Sequence, residues 1–133
     1  MAEYKAVEGE LGAVNALTNL TTFGTETSGP VKVPEGARKI RRFGVAVGPH
    51  IDTAGDNVAV TLRLTGKGIM SSPQDFVIWG GGGGVTNTGT YGDVLKWIDC
   101  DIDVKPNEDI TVQAAAVGDD VLVATVGITL EFL

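Results

Sequence analysis

The C-terminal third of the chain alternates with a period of two. Ile98, Cys100, Ile102 and Val104 share one parity, and Asp99, Asp101 and Asp103 share the other. A strand over this stretch has a dry face and an acidic face. Lys105-Pro106-Asn107-Glu108-Asp109 reads as a turn, because Pro presets φ and Asn and Asp tolerate tight turns. Ile110, Val112, Ala114 and Ala116 then point one way, Gly118-Asp119-Asp120 turns the chain, and Val126, Ile128, Leu130 and Phe132 carry a last apolar face.

The first half follows the same rule less cleanly. Val7, Leu11, Ala13 and Leu17 share a parity and predict a strand over 5–17, with Gly9 and Gly12 arguing against a helix. Thr18 to Thr27 predicts a short edge strand or an ordered arm, so residues 1–29 form a possible N-terminal strand or arm. Phe43, Val45 and Val47 share a face while Ile40 falls on the other parity. A β-bulge near Arg41-Arg42 reconciles them. Gly48 to Asn57 predicts a loop, and Val58, Val60, Leu62 and Leu64 the cleanest strand of this half. Phe76 to Trp79 is a short apolar strand, followed by five glycines and a long Gly-rich loop over Gly80 to Gly92. Roughly seven to nine short strands with frequent turns predict an all-β fold, an antiparallel β-sandwich of jelly-roll type in one domain over 1–133.

A faint internal echo supports this. Pro34-Glu35 leads through Ile40 to Val45-Ala46-Val47-Gly48 and on to Val58-Ala59-Val60. Pro106-Asn107-Glu108 leads through Ile110 to Ala115-Ala116-Val117-Gly118 and on to Ala124-Thr125-Val126. Two similar antiparallel hairpins are expected from a sandwich of two Greek keys.

Composition narrows the function. The 133 residues are 43% apolar but only 6% aromatic, so Val, Ala and Leu must fill the core. The formal net charge of −7 argues against a general nucleic-acid or anionic-membrane binder. Cys100 is the only cysteine, so no intrachain disulfide forms. It lies on the apolar parity, as a small buried hydrophobe would. Met1 to Lys5 lacks a secretory pattern. The expectation is a chain made and kept in the cytoplasm unless assembly carries it out. Without a secretory route, Asn19-Leu20-Thr21 is a chance glycosylation match.

Catalytic chemistry finds little to work with. His50 is the only histidine. A triad would need it between Asp52 or Asp56 and Ser71 or Ser72, and no nucleophile motif surrounds either serine. The glycine run continues Val85-Thr86-Asn87 rather than the Lys-Ser/Thr of a phosphate loop. It reads as a surface loop, or as one that orders against a neighbouring subunit. No cofactor or metal is expected. The aspartate row needs solvent, a basic partner or a hard cation bridged to Asp52 or Asp56, but its spacing of roughly 7 Å is too wide for all three to share one ion. The basic run Arg38, Lys39, Arg41 and Arg42 is its complement. It reads as an edge guarded against strand addition, a patch toward packaged nucleic acid, or one side of a subunit interface whose other side is Asp99, Asp101 and Asp103. On the interface reading, charge reversal at Arg41 and Arg42 weakens assembly.

"VPEGARKI" and "VKPNEDI" leading into core strands, the terminal strand "VATVGITLEF" and the Gly-rich loops resemble single jelly-roll capsid and decoration proteins of viruses, over Pro30 to Leu133. The resemblance implies a non-enzymatic shell subunit in a virion that associates with itself and with other capsid proteins. The chain departs from many such proteins in lacking a basic N-terminal arm, so direct genome contact is not expected. The alternative is a carbohydrate-binding β-sandwich module, with Trp79, Tyr91 and Trp97 as the sugar platform and binding lost on Trp79→Ala.

Overall fold

The computed structural model describes residues 2–11, 16–22, 30–51, 57–82, 96–118 and 122–133. The strands are β1 (Glu3–Leu11), β2 (Thr18–Asn19), β3 (Thr21–Thr22), β4 (Val31–Lys32), β5 (Lys39–Ile51), β6 (Asn57–Thr65), β7 (Gln74–Gly82), β8 (Lys96–Asp103), β9 (Asp109–Gly118) and β10 (Leu122–Phe132). They build two antiparallel sheets, one in the order β3-β1-β10-β5-β8 and the other β2-β9-β6-β7, with β4 added to β9.

The ladders are nested. β6 pairs β7, β5 pairs β8, β2 pairs β9 and β1 pairs β10. The chain is therefore one long antiparallel ribbon, rolled so that β5 closes onto β10 and β6 onto β9. This is the jelly roll, and it fits the sequence expectation.

The period-two code explains the layers. Val60, Leu62 and Leu64 on β6, Ile110, Val112, Ala114 and Ala116 on β9, and Val126, Ile128, Leu130 and Phe132 on β10 are all buried between the sheets. Phe43 from one sheet meets Phe76 from the other edge to face, with ring centres 5.0 Å apart. Aromatic pairs favour this geometry.

The bulge falls where the parity break placed it. Along β5, the partners of β10 step from Arg42 to Ile40, so Arg41 is an extra residue. Ile40 and Phe43 both stay buried as a result, although three positions separate them. Arg41 and Arg42 both face outward.

Several details correct the sequence reading. The echoed segments are not hairpins. β5 lies in one sheet and β6 in the other, and so do β10 and β9. Each connection crosses the sandwich, and the two units pair with each other through β5·β10 and β6·β9. Their lead-in turns lie side by side. Val33 donates its N–H to Glu108 O at 2.9 Å, and Asn107 donates to Val33 O at 3.0 Å. Gly36 (φ 85°) and Asn107 (φ 66°) occupy the third position of turns closed by Ala37 N–H to Pro34 O and Glu108 N–H to Lys105 O. A type II turn needs positive φ there, which Gly and Asn supply.

The predicted loop from Gly48 is strand as far as Ile51. Pro49 stands within the ladder opposite Ala124 of β10. Gly80, Gly81 and Gly82 extend β7 against Ala59, Val58 and Asn57. Glycine still carries both backbone hydrogen-bonding groups. The rest of the loop to Gly92 lies outside the described residues.

Leu17, expected on the buried parity of the first strand, is 42% exposed. β1 ends at Leu11, and by Thr18 the chain has reached the other sheet. Leu20 fills the corner as the chain crosses back, buried against Gly9 and donating its N–H to Val112 O at 2.9 Å. Of the edge strand or arm expected over Thr18 to Thr27, the described part forms two short strands, one on each sheet, and residues 23–27 lie outside the described residues.

Candidate assembly surface

The outward positions of the β3-β1-β10-β5-β8 sheet hold most of the chain's strand charges. One row crosses four strands: Tyr4 on β1, Glu131 on β10, Arg42 on β5 and Asp99 on β8 stand opposite one another in turn. Arg42 Nε lies 2.7 Å from Glu131 Oε2, and Arg41 Nη1 lies 3.8 Å from Oε1 of the same carboxylate. The bulge makes this possible, since strict alternation would send one of two successive arginines inward. The Arg42 guanidinium also lies 4.2 Å from the centre of the Trp97 ring, whose edge meets Tyr4. A cation over an indole face is an attractive contact.

Glu131 is only 2% exposed although it lies on an outer face. Its cover is the side chains of its own sheet. The hydrogen bond from Arg42 holds its carboxyl below the usual range; burial opposes this, and Tyr4 and the charges of Arg42 and Arg41 reinforce it. The same bond raises Arg42. Sequence reasoning missed Glu131 and Tyr4. The available signal was a lone carboxylate at an outward position in an otherwise apolar terminal strand.

The structure brings the two predicted charge sets together within one sheet. Lys39 stands opposite Asp103, and Arg42 opposite Asp99. Lys39 Nζ lies 3.7 Å from Asp101. An exposed pair at that distance contributes little. Asp99, Asp101 and Asp103 all face solvent on β8, the last strand of its sheet, and Asp101 is 77% exposed. Arg38 is exposed, and its guanidinium donates to Ala37 O. Among the described residues, no group of three His, Cys, Asp or Glu side chains is placed to hold a metal. Asp52 and Asp56, the expected bridging ligands, lie outside those residues.

Cys100 is half-buried against the core, its Sγ 3.5 Å from Ile40 O. Burial pushes the thiol up to about 11, with Asp101 and Asp99 adding to the effect. A thiol held neutral is inert.

Of the aromatic set, Trp97 lies on the charged face, 37% exposed and engaged with Arg42. Trp79 belongs to β7 in the other sheet, and Tyr91 lies outside the described residues.

The opposite outer face, on β2-β9-β6-β7, differs. Arg63 and Asp75 pair at 2.7 Å, and Gln113 donates to Asn19 Oδ1 at 2.8 Å. The Arg63–Asp75 bond raises Arg63 and lowers Asp75. Beside these pairs lie Thr61, Ala115 and the exposed Leu17, Val77 and Val117.

Comparison with known proteins finds the fold. No family model and no curated protein matches the chain. Among solved structures, a chain from a structure of infectious bursal disease virus, Gx strain, matches over 98% of this chain with a TM-score of 0.53 and 11% identity. A chain from a structure of the Gt strain matches with a TM-score of 0.47 and 10% identity. This chain spans about a third of either one (32% and 33%). The protein is a jelly-roll β-sandwich, and at this identity the likeness extends to the fold.

Proposed function

We propose that the protein is a non-enzymatic structural subunit that assembles with copies of itself, as a viral capsid protein or a protein on the capsid surface. The observation that carries this reading is the jelly roll itself, shared over almost the whole chain with a chain from a virus structure. On this reading the protein resides in the virion, and its partners are itself and other capsid proteins.

The charged strands are the proposed contact. Asp99, Asp101 and Asp103 form the acidic side, on a strand that ends its sheet. Arg38, Lys39 and Arg41, with Arg42, form the basic side. Arg42 is committed to Glu131 within the chain, so reversing it strikes the fold as well as the contact. Reversing the aspartates is the cleaner test. The triple variant Asp99→Lys, Asp101→Lys, Asp103→Lys is expected to shift sedimentation velocity toward smaller species at low salt. High salt is expected to do the same to the native protein, because exposed charges are screened beyond about 10 Å at 0.1 M. Identical sedimentation of variant and native protein would remove these residues from the contact.

A further inference from the structure

We propose that the outer face of the β2-β9-β6-β7 sheet is a self-complementary contact between two copies of this chain. The inference rests on the assembly reading and supplies a second contact, since a closed shell or ring of dimers needs more than one kind of interface. The register places three residues in a row across this face. Thr61 on β6 stands opposite Val77 on β7 to one side and opposite Ala115 on β9 to the other. Val77 is 70% exposed, an apolar knob on the sheet surface. Over Thr61 and Ala115 lies a shallow hollow of about 330 Å³, lined also by Leu17, Val117 and the Arg63–Asp75 pair.

Val77 stands one strand spacing of about 5 Å to one side of β6, and the small, buried Ala115 in the hollow stands the same distance to the other side. A two-fold axis running along β6 above Thr61 carries Val77 of each copy over the hollow of the other. Face-to-face sheets about 10 Å apart interdigitate side chains in this way.

Charge selects a second copy as the occupant. The charged residues on the strands of this sheet, β4 included, are Lys32, Arg63, Asp75 and Asp109; Arg63 pairs with Asp75, and Lys32 stands opposite Asp109, so they balance. The chain carries −7 overall, so two copies repel on average, and these strands add no net charge to that repulsion. A strongly charged partner gains no counter-charge on this face. A second copy brings an apolar knob and a neutral rim.

Sedimentation equilibrium of the full chain in high salt tests this, because screening removes the charged contact and leaves the apolar one. The native protein is expected to remain dimeric. Val77→Asp and Val117→Asp are each expected to weaken dimerisation at least about tenfold. Both positions are exposed, so the unfolding midpoint measured at a concentration low enough for the native protein to be monomeric should not move, and this control separates a lost contact from a lost fold. Thr61→Cys in a Cys100→Ser background should be joined into a dimer by a short bismaleimide. Undiminished dimerisation in both aspartate variants, or an assembled Thr61→Cys protein that does not crosslink, would overturn this contact and leave the assembly reading standing. A native protein that assembles at low salt and is monomeric at high salt overturns this contact alone, whereas a monomer at every salt overturns both.

Discussion

The two outer faces of the sandwich obey the same alternation rule and use it differently. On β10 the outward residue Glu131 is closed over by Arg41, Arg42 and Tyr4, so a charge becomes part of the packing. On β7 the outward residue Val77 is left standing in solvent. One face stores its polarity in internal pairs and presents residual charge at the β8 edge. The other pairs Arg63 with Asp75 and presents the exposed Val77 and Val117 beside them. The inner faces are alike, so folding alone does not account for the difference between the outer ones. The two proposed subunit contacts, of different physical kinds, would account for it.

The largest effect separates inner from outer positions. Ile128→Ala on β10 should cost about 2–5 kcal/mol of stability by the loss of buried methylenes and the cavity left behind. Its outward neighbour Thr129→Ala should stay within about 0.5 kcal/mol. Urea unfolding compares the two, with a shifted midpoint at constant slope for Ile128→Ala. Equal midpoints would mean that the assignment of faces on β10 is wrong.

A backbone test comes next. Gly66 has φ 111°, and a Cβ there would lie 2.6 Å from Asp109 O, in the turn that follows β6 and lies against the start of β9. Gly66→Ala should therefore cost about 1–3 kcal/mol. Thermal melts would show it, and an unchanged midpoint would mean that this turn relaxes freely.

The charged face makes a prediction in pH. Glu131 has a folded pKa below its ordinary 4.5. Its contribution to stability is fully present above the unfolded value and is lost as pH falls through the lower folded value. The native protein should lose stability on acidification below about pH 4.5, and Glu131→Gln should be less stable at neutral pH with a flatter acid limb. Parallel acid limbs would show that other carboxylates carry the dependence. The smallest effect belongs to the exposed Arg63–Asp75 pair. Asp75→Asn should leave monomer stability almost unchanged.

Much of this was legible in the chain. Strict alternation in β6, β9 and β10 identified the core positions, and the parity break between Ile40 and Phe43 located the bulge. What misled was local punctuation. Pro49 and Gly80 to Gly82 read as loop, yet their backbones still join ladders to strands far away in sequence. The echoed segments read as hairpins because a short connection between strands looks the same whether it turns within a sheet or crosses to the other one. The charge sets could be listed from sequence, but their meeting in one sheet depends on the β5·β8 register. Glu131 was hidden for a related reason. Its partners are 89 residues away on β5, and no local pattern announces them.

The most direct measurement is size-exclusion chromatography with light scattering on the native protein at low and high salt, with negative-stain microscopy of any large peak. The account predicts rings or closed shells at low salt that fall back toward dimers at high salt. A clean monomer at every salt concentration would contradict it, and would leave a solitary binding module as the better description of this sandwich.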